Sequence, residues 1–164
     1  RWTDQVTALT GMAIPMAPTL GLLAITRPVA TTLRSLVHTT AVNIRPDGGS
    51  RVMIASYGHD DLLTPDTSEE TLYRYAGEIL DRAAKILPAL EGGEIESIRL
   101  GTRSMPQDHY PVVGPVSGLE GFYVIATHSG VTMGPFLGRL AAREILTGTI
   151  DERLYPYRPG RLIS

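Results

Sequence analysis

The sequence contains no cysteine, which excludes disulfide frameworks, zinc knuckles and thiol catalysis. Its four histidines are scattered rather than paired at ligand spacing, so a metal enzyme is not expected. An excess of one charge is missing too. Fifteen Lys and Arg stand against seventeen Asp and Glu, for a net charge of −2, and no basic field draws the chain to nucleic acid or anionic membrane. No apolar run approaches the roughly 20 residues of a membrane-spanning helix, and the longest clean one, Gly121 to Ala126, has strand length. Repeats, low-complexity tracts and linkers are absent, and proline and glycine fall singly. What is present is the balance of one ordinary globular domain: 164 residues, 43% hydrophobic and 20% charged. The chain opens Arg1-Trp2-Thr3 without methionine, signal peptide or basic leader, so it reads as a cut or processed piece of a longer polypeptide. A cytoplasmic location is the expectation, although this N-terminus does not decide it.

Residues 1–18 have weak periodicity and several prolines and read as an irregular approach or a short frayed helix. Leu20 to Thr26 is an apolar run closed by Pro28, the pattern of a buried strand. Leu36 to Ile44 and Arg51 to Ser56 are rich in Val, Ile and Thr, and Pro46-Asp47-Gly48-Gly49 between them predicts a hairpin. Glu94 to Thr102 alternates, and Gly121 to Thr127 is a further β-rich run. These five strands suit a mixed or antiparallel sheet. A helix is expected after Thr67, whose spacing to Glu70 is that of a capping box, with Leu72, Ala76, Ile79, Leu80, Ala83 and Leu87 on one face. A second helix is expected over Thr132 to Leu146, with Pro135 in its first turn, where no amide donor is needed. Gly134, Gly138 and Ala142 give it a small-residue stripe, the signature of close packing on a neighbour.

No nucleotide fingerprint is complete: Gly130, Gly134 and Gly138 do not form GxGxxG, and no GxxxxGK[ST] occurs. The strand Phe122 to Thr127, the turn His128-Ser129-Gly130 and the helix after it nonetheless form a β-turn-α unit. Its helix N-terminus offers free amides and partial positive charge to an electron-rich group. The plainer alternative is that Ser129 and Thr132 only cap the helix. The most individual stretch runs from Leu100 to Pro115. In it, Arg103 ends an apolar strand, where a guanidinium can clamp a carboxylate with two parallel bonds or join a surface ion pair. Asp108 sits in a proline-flanked turn and reads as a turn former.

Several blocks carry a likeness when taken together: Gly101-Thr102-Arg103-Ser104-Met105-Pro106-Gln107-Asp108, Pro111-Val112-Val113-Gly114, Gly118 to Val124, and His128-Ser129-Gly130-Val131-Thr132 before the glycine-bearing helix. In order and spacing they resemble the C-terminal half of the D-amino-acid oxidase-like flavoproteins, the group that includes glycine and sarcosine oxidases and D-amino-acid dehydrogenases. The likeness runs from Thr19 to Leu162, and Tyr157-Arg158-Pro159 is similar to that family's closing segment. It implies an α+β fold with a mixed, largely antiparallel sheet and two main helices. In that reading residues 19–118 form a substrate-binding domain and residues 119–164 return to an FAD domain. The implied reaction oxidises the C–N bond of a small amine or amino acid by hydride transfer to flavin. Carried over by position, Arg103 fixes the substrate carboxylate. His128, Ser129, Gly130, Val131, Thr132 and Met133 face the cofactor, FAD. His38 and Tyr57 lie on the predicted hairpin whose counterpart lines the family's substrate pocket, with a surface or core role as the alternative. No acid or base is assigned. Ser104 and Thr127-His128 depart from the related blocks, leaving oxidase against dehydrogenase open.

The partner implied is an N-terminal FAD-binding half, without which the chain is expected to be inactive. A different reading is a non-catalytic α+β assembly domain. On that reading, exposed apolar residues around Leu20 to Ile25 and Gly121 to Ala126 favour a homodimer.

Overall fold

The computed structural model describes residues 2–163; Arg1 and Ser164, the outer ends of the first and last segments, lie outside the described residues. The elements in order are α1 (Thr3–Ala8), β1 (Met16–Ala17), β2 (Leu20–Thr26), β3 (Val37–His38), β4 (Asn43–Pro46), β5 (Val52–Ala55), α2 (Glu69–Ala84), β6 (Ile95–Thr102), β7 (Met105–Pro106), β8 (Val112–Pro115), β9 (Tyr123–Ala126) and α3 (Gly130–Thr147). The chain folds as two compact units, one spanning Thr19–Thr102, the other joining the residues up to Pro18 to those from Arg103 on. The architecture is α+β, and every strand pair among the described residues is antiparallel.

The Thr19–Thr102 unit is a five-stranded sheet in the order β3-β4-β5-β2-β6 with α2 packed on it. β2 lies inside the sheet and is buried along nearly its whole length, as its unbroken apolar run predicts. Leu22, Ala24, Ile44, Val52 and Ile54 from the strands meet Leu72, Ala76, Ile79, Leu80 and Ala83 from α2. The helix is capped by Ser68, whose hydroxyl accepts from the Thr71 amide. The Thr67 hydroxyl, expected to be the cap, instead accepts from the Thr64 amide at 2.8 Å.

Leu36 to Ile44 is not one strand but a hairpin of its own, with Val37 opposite Ile44 and His38 opposite Asn43. The cause is Thr39. Its hydroxyl accepts from the amides of Ala41 and Val42 and donates to the Val42 carbonyl, so a side chain closes the turn in place of the ladder. The hairpin expected around Pro46 to Gly49 does form, between β4 and β5.

In the second unit β1 pairs with β7 and β8 pairs with β9. Gly121 to Thr127 therefore belongs outside the five-stranded sheet, beside a strand not expected at Val112–Pro115. β8 alternates between two cores. Val112 joins Ile14, Val116, Val124 and Ala126, whereas Val113 joins Leu137, Leu140 and Leu154.

α3 begins at Gly130, two residues earlier than expected, and ends where Gly148 adopts φ +67°. Pro135 thus falls in the second turn and removes the donor that would meet the Val131 carbonyl. The expected close packing of the Gly134-Gly138-Ala142 stripe is not found. A Cβ built on Gly134 or Gly138 meets nothing within 4 Å, and Gly138 and Ala142 are exposed. The apolar surfaces invoked for a homodimer are also mostly buried, since Leu20, Leu22, Ala24, Ile25, Val124 and Ala126 are all core residues.

Candidate functional site

The β9-turn-α3 unit places Thr127, His128 and Ser129 between the end of a half-buried strand and an 18-residue helix. Ser129 occupies the N-cap position, yet its side chain makes no capping bond. The Thr127 hydroxyl accepts from the Ser129 amide at 3.2 Å and shapes the turn. The first amides of α3 therefore keep no side-chain acceptor from the capping residue, and a Cβ built on Gly130 meets nothing within 4 Å. An electron-rich group can approach this backbone without displacing a side chain.

Beside the turn lies a cleft of about 530 Å³. Thr127, His128, Ser129 and Met133 form one side, with Phe136 and Leu137 from the next turn of α3. Met105, His109 and Pro111 form another, and Arg153, Leu154, Pro156 and Tyr157 close it from the C-terminal segment. Among the described residues, no acidic side chain lines it. Arg153 lies over the Phe136 ring at 5.1 Å and holds Asp151 through two bonds of 2.7 and 2.8 Å. That pairing keeps the Asp151 carboxyl down at about 2.

The residues singled out by sequence are distributed unevenly. His128, Ser129 and Met133 line the cleft, while Val131 is 96% exposed at the start of α3 and Thr132 is exposed beside it. Arg103 is half-buried just past the end of β6, two residues before the cleft residue Met105. His38 and Tyr57 belong to the other unit. His38 is exposed on β3 with its Nδ1 against the Asn43 side chain, and Tyr57 is exposed shortly after β5.

A family description, FAD dependent oxidoreductase (DAO), matches residues 2–144. The chain belongs to the FAD-dependent oxidoreductase family. Among curated relatives it is 36% identical over 89 residues to the uncharacterized oxidoreductase YurR of Bacillus subtilis, covering 53% of this chain and 24% of that protein. It is 26% identical to a glycine oxidase of Pseudomonas putida over 98% of this chain and 44% of the relative. The crystal structure of glycine oxidase from Geobacillus kaustophilus superposes with a TM-score of 0.75 at 24% identity, covering 99% of this chain and 44% of that one. The chain thus spans less than half the length of these relatives.

FAD is the cofactor of this family, and the donor set at the turn fits its electron-rich edge. The amides at the start of α3 are uncapped by Ser129, no acidic side chain among the described residues lines the adjoining cleft, and the space over Gly130 is open.

Sequence reasoning missed the side-chain bonds that brace this unit. Arg158 threads past Gly114 to donate from Nη1 to Glu144 Oε2 at 2.9 Å and to the Val113 carbonyl at 3.3 Å. Tyr123 donates to the same carboxylate oxygen at 2.8 Å. Burial, with Glu144 beside it, pushes the Tyr123 phenol up to about 12. Arg161 clamps Asp108 with bonds of 2.6 and 3.1 Å. The available signal was an apolar Val112-Val113 pair between prolines, followed 44 residues after Gly114 by an Arg-rich ending.

Proposed function

We propose that this chain forms the substrate-side and flavin-facing portion of an FAD-dependent enzyme that oxidises the C–N bond of a small amine or amino acid, working with an N-terminal FAD-binding half. The observation that carries this reading is the open N-terminus of α3 beside a largely apolar cleft that no acidic side chain among the described residues lines. When bound, FAD supplies the two-electron acceptor. The chain's own residues bind and orient. The amides from Gly130 to Thr132 stabilise negative charge on the side of the cofactor they face. Arg103 takes the substrate carboxylate in its planar fork and so fixes the α-carbon. Met133, Phe136 and Leu137 keep the adjoining volume apolar, which strengthens those electrostatic contacts. His38 and Tyr57 are proposed to contact the remainder of the substrate. No residue is assigned a proton, because a substrate amine that arrives neutral requires none.

Without a dinucleotide fingerprint among its 164 residues, the chain alone is proposed to be inactive. The native protein that carries it, purified from its source, is expected to be yellow and to release FAD on denaturation; a colourless protein that releases none overturns the reading. In that enzyme R103A is expected to lower kcat/KM for an amino acid by about 1.5–3 kcal/mol, roughly ten- to hundredfold. An amine without a carboxylate should be turned over unchanged. A second reading, a non-catalytic domain that pairs with another chain, draws on the exposed face of α3, where Val131 and Leu146 are 96% and 83% exposed. Flavin content separates the two.

A further inference from the structure

His109 has φ +67°, a left-handed backbone at a residue that is not glycine. It closes a four-residue turn by donating its amide to the Pro106 carbonyl at 2.8 Å, a position glycine commonly fills. The residue lines the cleft. A backbone outlier of this kind persists only where surrounding contacts over-determine it, and those contacts converge on Arg161. From Arg161, Nε and Nη2 grip the Asp108 carboxylate, while Nη2 also donates to the carbonyls of Tyr110 at 3.1 Å and Pro111 at 2.9 Å. Nη1 donates back to the Arg158 carbonyl at 3.2 Å. Asp108 Oδ1 accepts in turn from the Tyr110 amide at 3.1 Å. One guanidinium thus pins both flanks of His109 and ties them to the C-terminal segment that supplies Arg153, Leu154, Pro156 and Tyr157 to the cleft.

We propose that Arg161 is a positioning residue: its grip on Asp108, Tyr110 and Pro111 holds His109 left-handed and so keeps that residue in the cleft wall. A lysine cannot replace it, since a point charge lacks the planar fork that spans a carboxylate and two carbonyls at once. The consequence for a bound cofactor rests on the flavin reading above, whereas the latch itself does not.

The test needs no flavin, so its failure is distinct from a failure of that reading. NMR of the 164-residue chain reads the sign of φ at His109 from its backbone couplings. Wild type is expected to show a positive φ. In R161Q that signature should vanish and the amides of His109 and Tyr110 should exchange at least tenfold faster, while those of β2, β5 and β6 keep their protection. R161K should behave like R161Q. H109G supplies a second measurement: it should raise Tm in the wild-type background and leave it unchanged in R161Q, because the strain exists only while the latch enforces it. A positive φ retained at His109 in R161Q overturns the proposal. So does protection lost evenly through the chain, or an equal gain from H109G in both backgrounds.

Discussion

A side chain at position 114 has nowhere to go. Gly114 has φ +145°, and a Cβ there would stand 2.5 Å from Arg158 Nη1 and 3.1 Å from its Cδ. G114A is therefore expected to destabilise the chain by about 2 kcal/mol or more through backbone strain and displacement of Arg158, read by urea denaturation. The same network sets a titration. The Tyr123 phenol is raised to about 12 by burial and by Glu144, so the folded state holds its proton where the unfolded chain, with a tyrosine pKa of about 10, has lost it. Stability from this group is present below about pH 10 and lost as pH rises toward 12. The phenolate absorbance present in wild type and absent in Y123F should emerge only near pH 12. Asp108 works at the other end: its hydrogen bonds from the Arg161 guanidinium hold its carboxyl below the usual range. Its contribution is complete above about pH 4 and disappears as pH falls through the lowered folded value. The Tm difference between wild type and D108N should be present at neutral pH and shrink in acid. Asp108 was legible as a turn former, since its carboxylate does accept the Tyr110 amide. Its second partner is 53 residues away, and no local spacing carries that information.

At the scale of elements, the helices and central strands follow local pattern and the departures have local causes. β2 occupies the expected Leu20–Thr26, because a continuous apolar run suits only a buried strand of that length. Thr39 was read by its β propensity, but its hydroxyl satisfies turn amides better than its backbone satisfies a ladder. Thr67 and Ser68 are both capping residues by type, and which one caps is decided by backbone geometry. S68A is accordingly expected to cost about 1 kcal/mol, whereas loss of a cap at Thr67 is not at issue. β8 escaped notice because Val112–Pro115 is only four residues long and bounded by proline. For α3, the interior glycine at 138 is exposed and an added Cβ meets nothing within 4 Å. G138A should stabilise the isolated chain by up to about 1 kcal/mol from helix propensity alone, measurable as an upward shift in denaturation midpoint.

On the scale of the whole molecule, that same face of α3 poses the remaining question. Val131, Gly138, Ala142, Ile145 and Leu146 are exposed together, while Leu137, Leu140, Ala141 and Glu144 face the core. A helix apolar on both sides normally has cover on both. Small residues on the open side let a backbone come close. If the FAD-binding half of the proposed enzyme lies against this face, the stripe that fails to pack within the chain packs there. G138L separates these requirements. In the isolated chain it should hold or raise stability, since leucine is the better helix former and the space is empty. In the native enzyme the added side chain must displace whatever covers the helix, and overpacking of a fitted interface costs about 1–3 kcal/mol. The expected outcome is a chain with an unchanged or higher denaturation midpoint and a native enzyme with reduced FAD content and a lower Tm. Equal FAD content and Tm in G138L and wild-type enzyme would mean that the open face of α3 is not where the flavin half sits.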